Sequence, residues 1–127
     1  MNGFASESYT VITEDGYASQ MFRLPGKISE DIIPLMGKPA QKPVVLMMHG
    51  LECCMNFFTS NVASKAPPYV LVEQGYDVWM PNNRGNRYGL AHKELSTDSA
   101  EFWDFNHESY AKYDLPAFID FILEMTG

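Results

Sequence analysis

The sequence predicts an α/β fold, and three observations carry that expectation. Residues 9–13 (YTVIT), 14–16 (EDG) and 19–24 read as strand, turn and returning strand. Residues 44–48 (VVLMM) and 76–80 (YDVWM) are short apolar runs separated by a helix-length stretch, the order of a βαβ unit. Residues 110–125 then place Leu115, Phe118, Ile119, Ile122 and Leu123 at the i, i+3, i+4, i+7, i+8 positions of one helical stripe.

Each element has a local reason. Gly16 supplies the turn residue of the hairpin, and Pro25-Gly26 ends its second strand. Residues 27–42, rich in Pro, Gly and Lys, read as a loop. The unbroken VVLMM run fits a strand covered on both faces, as in parallel sheets. Pro43 before it and His49-Gly50 after it favour strand over helix. Pro67-Pro68 can open a helix through Gln74, with Gly75 as its cap. The crossover between the two strands should be right-handed. Pro116 sets a choice in the last helix. Either Asp114 caps a fresh helix with Pro116 in its first turn, or one longer helix bends there. Gly127 stands at the C-terminal cap position.

Bulk properties exclude several classes. With 127 residues the chain is at most one domain, and 46% hydrophobic with 20% charged residues describes a globular protein. Sixteen acids against nine bases, net −7, argue against nucleic-acid binding, which needs clustered cations. The acids gathered over residues 94–124 read as a solvated helical face. No segment reaches the ~18 apolar residues of a membrane span, and the first thirty residues predict no signal peptide. Cys53 and Cys54 are adjacent, which disfavours a bridge between them and assigns no compartment.

With these elements in place, several motifs resemble one family. They are residues 13–17 (TEDGY), the His49-Gly50-Leu51 turn, 75–86 (GYDVWMPNNRGN), 102–105 (FWDF) and 113–123 (YDLPAFIDFIL). In order and spacing they resemble the acid lipases, the family of lysosomal acid lipase, gastric lipase and yeast steryl-ester hydrolases. The resemblance runs from about Phe4 to Gly127. It implies an α/β-hydrolase fold of which residues 1–127 are the N-terminal half: the hairpin, the βαβ unit and the following helix. It also implies a serine hydrolase of neutral-lipid esters, without cofactor or metal. In such enzymes the nucleophile lies in a G-x-S-x-G elbow, and the acid and base follow it. None of the nine serines here has glycine two positions to either side. The elbow is expected just after residue 127, and the triad cannot be carried over to this chain.

One element can be carried over. The resemblance places the backbone N–H of Leu51 in the oxyanion hole, with His49 and Gly50 shaping the turn. Glycine would permit close backbone approach, and the imidazole would hydrogen-bond the loop. The family's apolar residue and small serines after HGL are Glu52, Cys53 and Cys54 here, and a proline, Pro81, replaces a loop glycine. The strand at 44–48 would be central in the complete sheet, so the chain alone leaves its other edge bare. A protein partner or the missing C-terminal half is therefore expected, with a lipid ester as ligand. Two alternatives stand beside the hydrolase: a non-catalytic structural subunit derived from a lipase, and a lipid-binding module without turnover.

Other chemistries fit less well. A Cys53 or Cys54 nucleophile beside His49 is opposed by Glu52. His92, His107, Asp104 and Glu108 match no closed metal set. Arg84 reads as the partner of a carboxylate tying two loops together rather than as a phosphate ligand. Trp79, Trp103 and the phenylalanines read mostly as core.

Overall fold

A computed structural model describes residues 3–30 and 37–127. Part of the predicted 27–42 loop, residues 31–36, lies outside the described residues. The strands are β1 (Glu7–Ile12), β2 (Tyr17–Leu24), β3 (Val44–Leu46), β4 (Asp77–Met80) and β5 (Ala91–His92). They form one mixed sheet in the order β1-β2-β4-β3, with β5 pairing β2.

The hairpin is wider than its apolar core suggests. β1 and β2 pair antiparallel from Glu7↔Arg23 to Ile12↔Ala18. Gly16, at φ 98°, closes the turn through its N–H to the Thr13 carbonyl, 3.0 Å away. A Cβ there would sit 2.9 Å from the His92 ring, so glycine is required twice over.

The βαβ unit is present. β3 runs parallel to β4 in the register Val44↔Asp77 to Leu46↔Trp79. Helix α1 (Asn56–Thr59) and helix α2 (Pro67–Glu73) lie between them. Two prolines open α2 where N–H groups have no intrahelical acceptor anyway. Its end is a Schellman motif: Tyr76 N–H bonds the Leu71 carbonyl and Gly75 N–H bonds that of Val72, with Gly75 at φ 90°.

The last helix resolves the Pro116 choice in a third way. Helix α3 (His107–Ser109) is capped by Asn106, whose side chain accepts from the N–H groups of Glu108 and Ser109. The chain then winds through a π turn, Tyr110–Asp114, into α4 (Leu115–Thr126). Leu115 N–H reaches back to Tyr110. The wider turn absorbs the missing N–H of Pro116 and the bulk of its ring. Asp114 is helical and caps nothing; its carboxylate serves Arg84 instead.

β4 is buried along its whole length and sorts its side chains by strand period. Val78 and Met80 pack with Leu24 and Val72 under α2. Trp79 packs with Val11, Met21, Phe118 and Ile122 under α4. The predicted helical stripe splits: Phe118 and Ile122 are buried, whereas Ile119 and Leu123 are 40% and 58% exposed. β3 ends the sheet, and among the described residues its outer edge pairs with no strand. The sheet is open at that edge. Among the described residues no helix is long and apolar enough to cross a membrane.

One feature of the core escapes the motifs. Arg23, fully buried, holds Asp77 with two bonds of 2.8 Å and Glu7 with one of 2.9 Å. Its guanidinium lies 4.7 Å from the centre of the Trp79 ring. Burial pulls its pKa down, but the hydrogen bonds and charges of Asp77 and then Glu7 outweigh burial and raise it. The ion pairs thus span β1, β2 and β4.

Candidate active site

Beyond β3 the chain turns at Gly50–Cys53, where the Cys53 N–H meets the Gly50 carbonyl at 3.3 Å. Glu52 occupies the third position with φ 57°, whereas Leu51 has a negative φ, which is the type II pattern. His49 anchors this turn. It is 7% exposed, and its Nδ1 donates to the Gly50 carbonyl at 2.8 Å. Its Nε2 accepts the Asn83 N–H at 3.1 Å and an Asn86 amide N–H at 3.2 Å. Those donors assign the proton to Nδ1. Asn82 fixes the turn's far end by accepting the Met55 N–H at 3.0 Å, while its amide donates to the Gln20 carbonyl. The turn and the 82–86 loop are therefore one hydrogen-bonded body. The sequence offers its signal in three asparagines around Arg84, but not which backbone groups they serve.

Gly50 differs from expectation. A Cβ there would meet no atom within 4 Å, so among the described residues no neighbour demands glycine. Gly85 is the demanding position: it has φ 82°, and a Cβ would fall 2.6 Å from the Phe105 ring.

Arg84 forms the floor. It clasps Asp15 through two bonds of 2.6 and 2.8 Å and meets Asp114 through Nε at 2.8 Å. Its backbone N–H bonds the same Asp114 at 3.0 Å, and its guanidinium stacks 3.9 Å over Tyr17. It thus ties the hairpin turn, the loop and the helix together, the carboxylate role read from the sequence. Burial lowers the Arg84 pKa, but bonds to Asp15 and Asp114 more than offset it and raise it. Burial would raise Asp15, yet the Arg84 and Thr13 hydrogen bonds hold that carboxyl below its ordinary value. Asp114 is pushed upward, because burial outweighs its Arg84 bonds.

Above this floor lies a cleft of about 680 Å³, lined by the 49–54 turn, the 83–87 loop, Phe57, Trp103, Phe105 and Tyr110. Leu51, Phe57 and Trp103 are 60%, 68% and 47% exposed. For Trp103 and Phe57 this corrects the expectation of core burial. The Trp103 indole N–H donates to the Thr97 carbonyl at 2.8 Å.

Cys53 and Cys54 are free, half-buried thiols on the cleft wall. His49 is no base for them, since both ring nitrogens are engaged. His92 is equally occupied: Nε2 donates to the Asp15 carbonyl, and Nδ1 accepts the N–H groups of Glu94 and Leu95. His107 makes a ring contact with Tyr110. Among the described residues no group of three His, Cys, Asp or Glu side chains is arranged to hold a metal.

The left-handed Glu52 carries a prediction. A non-glycine residue in that region is strained, so Glu52→Gly should stabilise the chain by about 0.5–1 kcal/mol, net of glycine's entropy. A urea midpoint that rises without a change in slope is the expected reading.

A mixed sheet with a parallel β3–β4 pair and a polar-floored, apolar-rimmed cleft beyond the end of β3 defines the opening part of an α/β-hydrolase. Comparison with known proteins agrees. Residues 1–62 match the partial alpha/beta-hydrolase lipase region. The chain is 42% identical to human gastric triacylglycerol lipase over 126 residues, and 44% identical to human lysosomal acid lipase/cholesteryl ester hydrolase over 127. It is 37% identical to lipase lipl-3 of Caenorhabditis elegans over 126 residues. Each alignment takes in 98% of this chain and 30% of the relative, so the chain spans less than a third of the relatives' length. The chain belongs to the acid-lipase family and resembles the N-terminal part of its members.

Proposed function

We propose that this chain supplies the oxyanion-hole turn of a serine hydrolase acting on neutral-lipid esters. The nucleophile, acid and base come from outside residues 1–127, through further sequence of the same protein or a partner chain. The observation that carries this reading is the Leu51 turn itself. Leu51 lines the apolar-rimmed cleft, next to His49, whose ring is held by Asn83 and Asn86. A preorganised N–H facing a low-dielectric cleft is what a tetrahedral oxyanion requires. The names of the relatives, a triacylglycerol lipase and a cholesteryl ester hydrolase, support the substrate class.

Glu52 favours a second reading. A carboxylate on the same cleft opposes a developing oxyanion, which suits a non-catalytic structural subunit or a lipid-binding module.

Proline separates these readings. Leu51 is the second residue of a type II turn, where proline fits the backbone. Leu51→Pro deletes the N–H and keeps the turn. In the completed enzyme it should lower kcat by about 10²–10³, while Leu51→Ala leaves kcat near the parent value. Equal kcat for both variants would remove Leu51 from the oxyanion hole. Lipid retained without ester cleavage would establish the binding module.

A further inference from the structure

We propose that Cys53 and Cys54 form a dithiol site for a trivalent organoarsenical, whose organic group occupies the cleft. This inference stands apart from the hydrolase reading. Both thiols are free, and both cysteines line one cleft together with the exposed Leu51, Phe57 and Trp103. Adjacent residues are poorly placed for a disulfide, whose S–S bond of about 2.0 Å requires a wider Cα separation than one peptide gives. A single bridging atom removes that strain, because the two sulfurs then need only approach the same centre.

The donor count selects the ligand. Thiolate sulfur prefers soft acceptors. A zinc ion needs about four donors, and among the described residues no third His, Cys, Asp or Glu joins a metal-holding group here. His49, the nearest imidazole in sequence, spends both nitrogens on the loop. A linear two-coordinate ion would force the sulfurs to opposite sides. Arsenic(III) bearing one carbon substituent needs only two sulfurs, the number that the adjacent Cys53 and Cys54 offer on this cleft. The reaction is a condensation of the hydrated arsenical, R–As(OH)₂, with two thiols. Two S–H and two As–O bonds break, two S–As bonds form, and two waters leave with the thiol protons. No group is oxidised or reduced.

Both cysteines are only half-buried, and the apolar rim gives an aryl substituent a surface to cover. Aryl arsenicals should therefore be held better than methyl ones, and only while the cleft exists.

The test titrates phenylarsine oxide and methylarsine oxide into the full chain, with a monothiol competitor and a thiol count. One equivalent of the phenyl reagent is expected to remove both thiols. Cys53→Ser and Cys54→Ser should each weaken retention by about a hundredfold, the loss expected when a second, intramolecular bond disappears. The phenyl-over-methyl preference should vanish in concentrated urea. Thiols that persist at one equivalent, single-serine variants that retain the arsenical like the parent, or a phenyl preference unchanged in urea would each overturn the proposal.

Discussion

Arg84→Met is expected to destabilise the chain by about 3–5 kcal/mol, the range found when one partner of a buried ion pair is removed. The magnitude follows from what the substitution strands. Asp114 is 1% exposed and takes both the Arg84 side chain and its backbone N–H. Without the guanidinium its carboxylate must ionise in an apolar setting or take up a proton. Asp15, a quarter exposed, can turn to water, so most of the loss comes from Asp114. The Tyr17 ring also loses the cation stacked on it. Arg84→Lys should recover only part of this, because an ammonium cannot clasp Asp15 with two parallel bonds while also meeting Asp114. Urea unfolding of the two variants gives the comparison. A loss near 1 kcal/mol for Arg84→Met, or full rescue by lysine, would mean that the network contributes little to the site.

Arg23→Met should be of similar size, about 3–5 kcal/mol. Asp77 and Glu7 are 1% and 8% exposed, and both face Arg23. Glu7 keeps the Gly37 N–H and the Tyr9 hydroxyl, so Asp77 carries the larger share. Against a typical total of about 5–15 kcal/mol, such a loss leaves a measurable unfolded fraction without denaturant. Replacing both members, as in Arg23→Met with Asp77→Leu, should return much of it, since an apolar pair needs no compensation. A double-mutant cycle reports that coupling directly. Additive losses would show that the two groups act independently.

These two arginines mark where the sequence stops being readable. Arg84 sits in a motif, 75–86, whose polar loop already argues for a carboxylate partner. Even so, the identities of Asp15 and Asp114 depend on bringing the hairpin turn and the π turn to one point. Arg23 looks like an ordinary outward-facing polar residue of a strand. It is buried because β4 pairs with β2 in the register Arg23↔Trp79, and that register is set by contacts far apart in the chain. The strands themselves were readable wherever burial is complete. Residues 78–80 are apolar on both faces because α2 and α4 cover both. The two-residue β5 carries too little pattern to see, and is held by its pairing with Tyr17 and Ala18. The helical stripe was read correctly as apolar but incompletely as buried, since Ile119 and Leu123 are exposed. Of the site, the His49-Gly50-Leu51 turn was visible as a motif. The roles of Asn83 and Asn86 as its hydrogen-bonding support were not: Asn83 acts through its backbone N–H, which leaves no mark on residue identity, and the Asn86 amide donates to groups that only the fold brings near.

The central proposal is that Leu51 serves a nucleophile lying outside these residues. The most direct test treats the native assembly containing this chain with a phosphonate that reacts with activated serines, then maps the adduct by mass spectrometry. The account predicts one modified serine, within a G-x-S-x-G segment outside residues 1–127, with ester hydrolysis lost in step. No modified serine anywhere in the assembly, or modification of one of the nine serines of this chain, would contradict it.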